Sequence, residues 1–154
     1  MAEARYAPRK MEFEALVDVL VEEHEVMREG LRRAEDSADR RNYEAVVSIM
    51  RKLEPIFRQH IADEEAQILR LLIGELGVKG AEEEIAVFQQ HRPIHRLMQI
   101  VTELASKSAV ELEADQARLD ELFSEHTAAE EGSVFPRAMS CYRGKTKGGV
   151  CPST

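Results

Sequence analysis

The chain has 154 residues, enough for one domain with a substantial core and short for two. Hydrophobic residues make up 44% and charged residues 32%, with only 8 Gly and 5 Pro, a balance that suits long helices better than strands. The formal net charge of −8, with no basic stripe on any segment, argues against a nucleic-acid partner, and no run of about 18 uncharged apolar residues is present to span a membrane.

At the amino end, MAEARYAPRKMEFEAL has basic residues but no apolar stretch and no small-residue cleavage pattern, so it does not read as a secretory signal and a cytoplasmic location is expected. Residues 1–10 are expected as a flexible tail and 11–141 as the domain. A first helix is expected from about Met11 to Ala34, because Leu16, Leu20, His24, Met27 and Leu31 recur at spacings of three and four. The polar stretch Glu35 to Arg41 breaks that pattern. A second helix runs from about Asn42 to Ile73, with Val46, Ile49, Leu53, Phe57, His60, Glu64, Ile68 and Leu71 on one stripe; Pro55 should kink it by removing a hydrogen bond to Arg51. Gly74, Gly77 and Gly80 mark the turn into a third helix carrying Ile85, Phe88, His91, His95, Met98 and Thr102, bent at Pro93 between its two histidines. After a break near Ser106 to Ser108, a fourth helix carries Leu112, Leu119, Leu122, Phe123, His126, Glu130 and Val134 and ends near Pro136 or a little later. The remainder, 142–154, with Gly144, Gly148 and Gly149, reads as a flexible tail. Cys141 and Cys151 are the only cysteines, so no disulfide framework holds the core, and both are expected as unpaired thiols. Four long helices with short connections favour antiparallel neighbours, and the expected fold is an all-α, antiparallel up-down-up-down four-helix bundle.

All five histidines fall on the apolar stripes. The two halves of the chain repeat one order, a helix bearing His followed by a helix bearing His-x-x-x-Glu: 36 residues separate His24 from His60, and 35 separate His91 from His126. A four-residue step turns a helix by roughly 400°, so Glu64 and Glu130 each lie one turn beyond their histidine on the same face. In an up-down-up-down bundle the second and fourth helices run parallel, which brings both glutamates to one level, as two bridging carboxylates require. Without a metal, burying five imidazoles and two carboxylates would leave many polar groups unpaired. Asp63, Glu65 and Glu131 lie at less favourable angles and are expected to be solvated. Imidazole and carboxylate ligands without thiolate suit iron, manganese or zinc, and spacing does not choose among them.

The set His24, His60-x-x-x-Glu64, His91-x-x-x-His95, His126-x-x-x-Glu130 resembles the haemerythrin and haemerythrin-like (HHE cation-binding) proteins over about Leu16 to Pro136. The segment HTAAEEGSVFP, His126 to Pro136, is similar to that family's fourth-helix signature. The resemblance implies two iron ions in an oxo- or hydroxo-bridged di-iron centre, bridged by Glu64 and Glu130. His91, His95 and His126 would be on one iron, and His24 and His60 on the other. The ferritin-like class, with its Glu-x-x-His motifs, does not fit, since the residues three before the histidines are Val21, Phe57, Phe88, Arg92 and Phe123. One departure stands out. The oxygen-carrying haemerythrins supply their second bridge from an Asp five residues after the last histidine, whereas this chain has Glu130 at four, as in the wider haemerythrin-like group.

The two halves differ at one position, because His91 is followed four residues later by His95 but His24 by Arg28. On the implied ligand set the open position belongs to the His24/His60 iron, where dioxygen or another small diatomic ligand would bind. Met27, Phe57, Met98 and Phe123 should form one layer beside it, either as ordinary core or as a dry ligand pocket. Thr127 is the evident candidate proton donor, although such hydroxyls commonly bond their own backbone, and Tyr43 lies farther off. The expected function is binding of dioxygen or a related diatomic molecule by a carrier, storage protein or sensor. The alternatives are a peroxidase- or catalase-like di-iron oxidoreductase and an iron or oxygen sensor acting through a protein partner.

Overall fold

The computed structural model describes residues 6–146, in which all regular structure is helical and no strand occurs. Helix α1 (Phe13–Asp39) starts where the Glu12 carboxylate accepts the backbone N–H groups of Glu14 and Ala15 at 3.1 Å, satisfying donors that the first turn leaves free. It outlasts the expected end at Ala34 because Ala38 is buried as well. Asn42 caps α2 (Tyr43–Asp63) by accepting from Ala45 N–H, and the helix runs on through Pro55. A π-helical turn, Glu64–Leu69, carries the same rod into α3 (Arg70–Gly80). Of the three glycines there, Gly74 and Gly80 are helical. Only Gly77, at φ 75° and ψ 167°, takes a conformation closed to residues with a side chain.

The third rod is α4 (Glu82–Gln89) followed by α5 (His91–Ser106), joined at Gln90. The interruption falls before His91 rather than between the histidines, which leaves Pro93 in the first turn of α5, where a missing N–H costs little. The fourth rod is α6 (Leu112–Ala129), a second π-helical turn Glu130–Val134, and α7 (Phe135–Thr146). The rod passes the expected end of the domain because Tyr142 stacks on Phe13, with ring centroids 4.5 Å apart, so residues 142–146 are helix rather than tail. At the other end, residues 6–10 are also docked: Gln59 donates to Ala7 O and Gln67 to Arg9 O, both at 2.8 Å. Residues 1–5 and 147–154 lie outside the described residues.

Helix α1 packs on α2, α2 on α5, α5 on α6, and α6 returns to α1, closing a ring of four rods. Two apolar cores fill it. One gathers Met27, Leu31, Val46, Met50, Phe57, Ile94, Met98, Leu119 and Phe123 among others; the second gathers Phe13, Leu16, Leu20, Ile68, Leu72, Phe88, Val134 and Phe135. In every rod a buried histidine stands between residues of the first core and residues of the second. No helix among the described residues is long and apolar enough to cross a membrane.

Cys141 corrects one expectation. It is buried against the second core and disulfide-bonded rather than a thiol, while Cys151 lies outside the described residues.

Candidate metal centre

His24, His60, Glu64, His91, His126 and Glu130 are all buried between the two cores, none more than 4% exposed. The helical step that put each glutamate one turn beyond its histidine operates as expected. The Glu64 carboxylate touches His60 Nε2 through Oε1 and lies 3.6 Å from His91 Nε2 through Oε2. Glu130 Oε1 lies 3.1 Å from His24 Nε2 and 2.9 Å from His126 Nε2. Each carboxylate therefore reaches histidines from two different rods.

The six side chains fall into two overlapping groups, His24–His60–Glu64–Glu130 and Glu64–His91–His126–Glu130, and within each group one ligand atom from every residue lies within 4.8 Å of the others. Both groups could hold a metal ion. The donor atoms show why one fits. Both oxygens of Glu64, Glu130 Oε2, His91 Nε2 and His126 Nε2 are buried without a hydrogen-bond partner. Buried polar atoms are ordinarily satisfied, and convergent lone pairs that satisfy nothing in the protein are the arrangement a cation completes.

Outside this inner set, two of the imidazoles, His60 and His126, are hydrogen-bonded through the far nitrogen, while His24 Nδ1 and His91 Nδ1 only have carboxylates nearby. The His60 Nδ1–H donates to Glu23 Oε1 at 3.0 Å, and the His126 Nδ1–H to Gln90 Oε1 at 3.0 Å. His24 Nδ1 faces Glu131 Oε2 at 3.3 Å, and His91 Nδ1 faces Glu65 Oε1 at 3.7 Å. An Nδ1 proton directed outward leaves the Nε2 lone pair for the centre, the tautomer a metal requires. Arg9 holds Glu23 in turn, through Nη2 at 3.0 and 3.1 Å, and binds Asp63 through Nε at 2.6 Å and its backbone N–H at 2.7 Å. Arg28 pairs with Glu131 and Glu25. Of the three carboxylates expected to be solvated, only Glu65 is mostly exposed. Asp63 is fully buried beneath Arg9, and Glu131 is turned inward by Arg28 and His24.

The four buried histidines divide into two that favour the charged form and two that favour the neutral form. Burial opposes a charge on His60, but Glu64 and Glu23 outweigh it and raise its pKa to about 9; His91 is raised against the same penalty by Glu64. Burial, reinforced by the neighbouring His60, lowers His24 to about 4, and burial with His91 lowers His126 to about 3. The Glu64 carboxyl, in spite of its burial, is held well below the usual range by His60 and His91.

His95 is not brought together with the other six. Its Nε2 lies 3.2 Å from Glu54 Oε1, its ring stacks on Phe57 with centroids 6.2 Å apart, and its side chain is 22% exposed. Arg58 shares the same Glu54 oxygen at 2.9 Å. The expected pocket residues Met27, Phe57, Met98 and Phe123 are all buried members of the first core. Phe57 presents its edge to His91 and Phe123 to His24, at 6.2 and 6.4 Å between centroids. Met98 also lines an open groove of about 350 Å³ with Met50, Glu54 and Thr102. Thr127 donates to Ser124 O on its own helix, and Tyr43 packs against the first core.

The outer partners Glu23, Gln90 and Arg9 were not anticipated. Glu23 directly precedes His24 and Gln90 directly precedes His91, so each sits about 100° around its helix from a centre residue, angled toward the neighbouring rod. That offset, one residue before a buried histidine, is the signal that could have found them. Arg9 precedes any helical pattern and carries no such signal.

No family model matches the chain, and neither a curated protein nor a solved structure matches it.

Proposed function

We propose that this chain is a haemerythrin-like protein whose bundle holds two iron ions and binds dioxygen or a related small diatomic ligand, as a carrier, store or sensor. The observation that carries the reading is the sharing of Glu64 and Glu130 between two buried ligand groups, each completed by two histidines. The up-down-up-down topology belongs to the same reading. In support of it, the first and third rods run from the second core toward the first, and the second and fourth run from the first toward the second.

When bound, ferrous iron supplies a redox-active Lewis acid with coordination positions open to small ligands. The protein's part is to orient and to exclude water. Glu23 and Gln90 fix the His60 and His126 rings by their Nδ1 protons, Glu64 ties the second rod to the third through His91, and Glu130 ties the fourth to the first through His24. Phe57 and Phe123 set apolar rings against His91 and His24, Met27 and Met98 belong to the same core, and the Thr127 hydroxyl is engaged with its own backbone instead of the site.

One observation favours a second reading. With His95 turned to Glu54, the inner set offers two histidines to each half, so both halves would be open rather than one. Two open positions suit a peroxide-handling oxidoreductase better than reversible carriage. Iron analysis of anaerobically purified protein, followed by dioxygen and peroxide titration, separates these cases. Two irons per chain with a reversible dioxygen adduct supports the first, and many turnovers of peroxide supports the second. Protein reconstituted under anaerobic ferrous iron that retains none overturns both.

A further inference from the structure

The two half-sites have the same inner ligands but different surroundings. Behind His24 and His60 stand two carboxylates, each held by an arginine: Glu23, its side chain 16% exposed, accepts the His60 Nδ1–H at 3.0 Å, and Glu131, its side chain 28% exposed, lies 3.3 Å from His24 Nδ1 as a nearby negative charge without a hydrogen bond. Behind His91 and His126 stand a carboxylate at 3.7 Å whose side chain is 54% exposed, Glu65, and a neutral amide, Gln90. A carboxylate receiving the Nδ1 proton makes the opposite nitrogen a stronger donor, and loss of such a partner typically weakens metal binding roughly 10–100-fold. A neutral amide orients the ring but adds no negative charge, and a distant, solvated carboxylate is screened.

We infer that the two positions are loaded in order, the His24/His60 position first and more tightly, because Glu23 and Glu131 back its histidines while Gln90 and the exposed Glu65 back the other pair. The inference rests on the di-metal reading above and concerns which of its two positions is the stronger. Arg9 is the less obvious contributor. By bridging Glu23 to the buried Asp63, it keeps the Glu23 carboxylate on His60 and lets the docked segment 6–10 act as a strap behind that position alone. Glu23, Gln90 and Arg9 are thus positioning residues, acting on the metal through a ring.

The test is a titration of the metal-free protein with cobalt(II), whose visible absorption reports coordination without turnover. The parent should bind two equivalents in two resolved steps. Glu23→Gln keeps a hydrogen-bond acceptor but removes the charge, and should weaken the tighter step by roughly 10-fold or more while leaving the weaker one nearly unchanged. Gln90→Glu adds the missing charge and should tighten the weaker step, drawing the two together. His24→Ala should remove the tighter step and His126→Ala the weaker. Two equivalent steps in the parent, or Glu23→Gln acting on the weaker step, overturns the order of loading while leaving the di-metal reading intact. Absence of any cobalt binding overturns that reading itself, and the order with it.

Discussion

Glu64 and Glu130 occupy equivalent places in two rods: each follows a buried histidine by four residues, and each is the first residue of a π-helical turn. A π turn holds one more residue than an α turn and shifts the register of everything beyond it. Ile68 and Val134, four residues after each glutamate, are thereby set into the second core while the carboxylates stay on the centre. Such turns are rare overall and frequent at functional sites, so the occurrence of two at matching positions marks the place where the fold gives up regularity for the site.

On the proposed di-metal reading, replacing Glu64 or Glu130 with Ala should remove both metals, not one. Each carboxylate faces one histidine from each half-site, so its loss strips a ligand from both positions. Metal analysis after reconstitution checks this, and retention of one equivalent by either variant would identify that glutamate as a terminal ligand to a single ion.

His95→Ala should keep both metals. The ring is bound to Glu54 and stacked on Phe57, outside the inner set, so removing it takes nothing from the centre. Loss of one equivalent would show that His95 leaves Glu54 when metal enters, and would restore the five-histidine set.

These two cases also show what the amino-acid sequence could reveal. The six inner residues were legible because an interior position in a long helix repeats at three and four, and two His-x-x-x-Glu pairs in parallel order admit few arrangements. His95 obeys the same four-residue rule with respect to His91, yet four residues advance a helix about 40° past a full turn and about 6 Å along it. On α5 that displacement delivers the ring to Glu54 of α2, a contact between distant residues that periodicity does not encode. The π turns were illegible for a related reason, since an inserted residue leaves no mark on composition. Arg9 and Asp63 find one another across 54 positions.

Asp120→Asn should stabilise the protein in a defined pH range. Burial and the nearby Glu35 raise the Asp120 carboxyl to about 7, so the folded chain keeps a proton that the unfolded chain releases near 3.9. The group's contribution is fully present below about pH 4 and is lost as pH rises through about 7. The amide has no charge to lose. Its melting temperature should therefore exceed the parent's at pH 8 and approach it at pH 4; equal differences at both values would remove Asp120 as the source.

Gly77→Ala should cost about 1–3 kcal/mol of stability, the usual penalty for forcing a side chain into a glycine-only backbone region. No other atom lies near the added Cβ, so the cost is conformational and not steric crowding. Urea unfolding measures it, and metal content should be unchanged because the turn lies beyond the second core.

The separation of the apolar interior into two cores has a consequence for how the molecule comes apart. Without metal, the layer between them is made of charges and unpaired donors, which transmit little cohesion from one end of the bundle to the other. Each end should then act as its own cooperative unit, opening while the other stays closed, which hydrogen exchange of the apoprotein would show as two groups of amides with different opening energies. Ions gripped by residues from all four rods would rivet the ends together, so that occupancy decides whether the chain melts in two stages or in one.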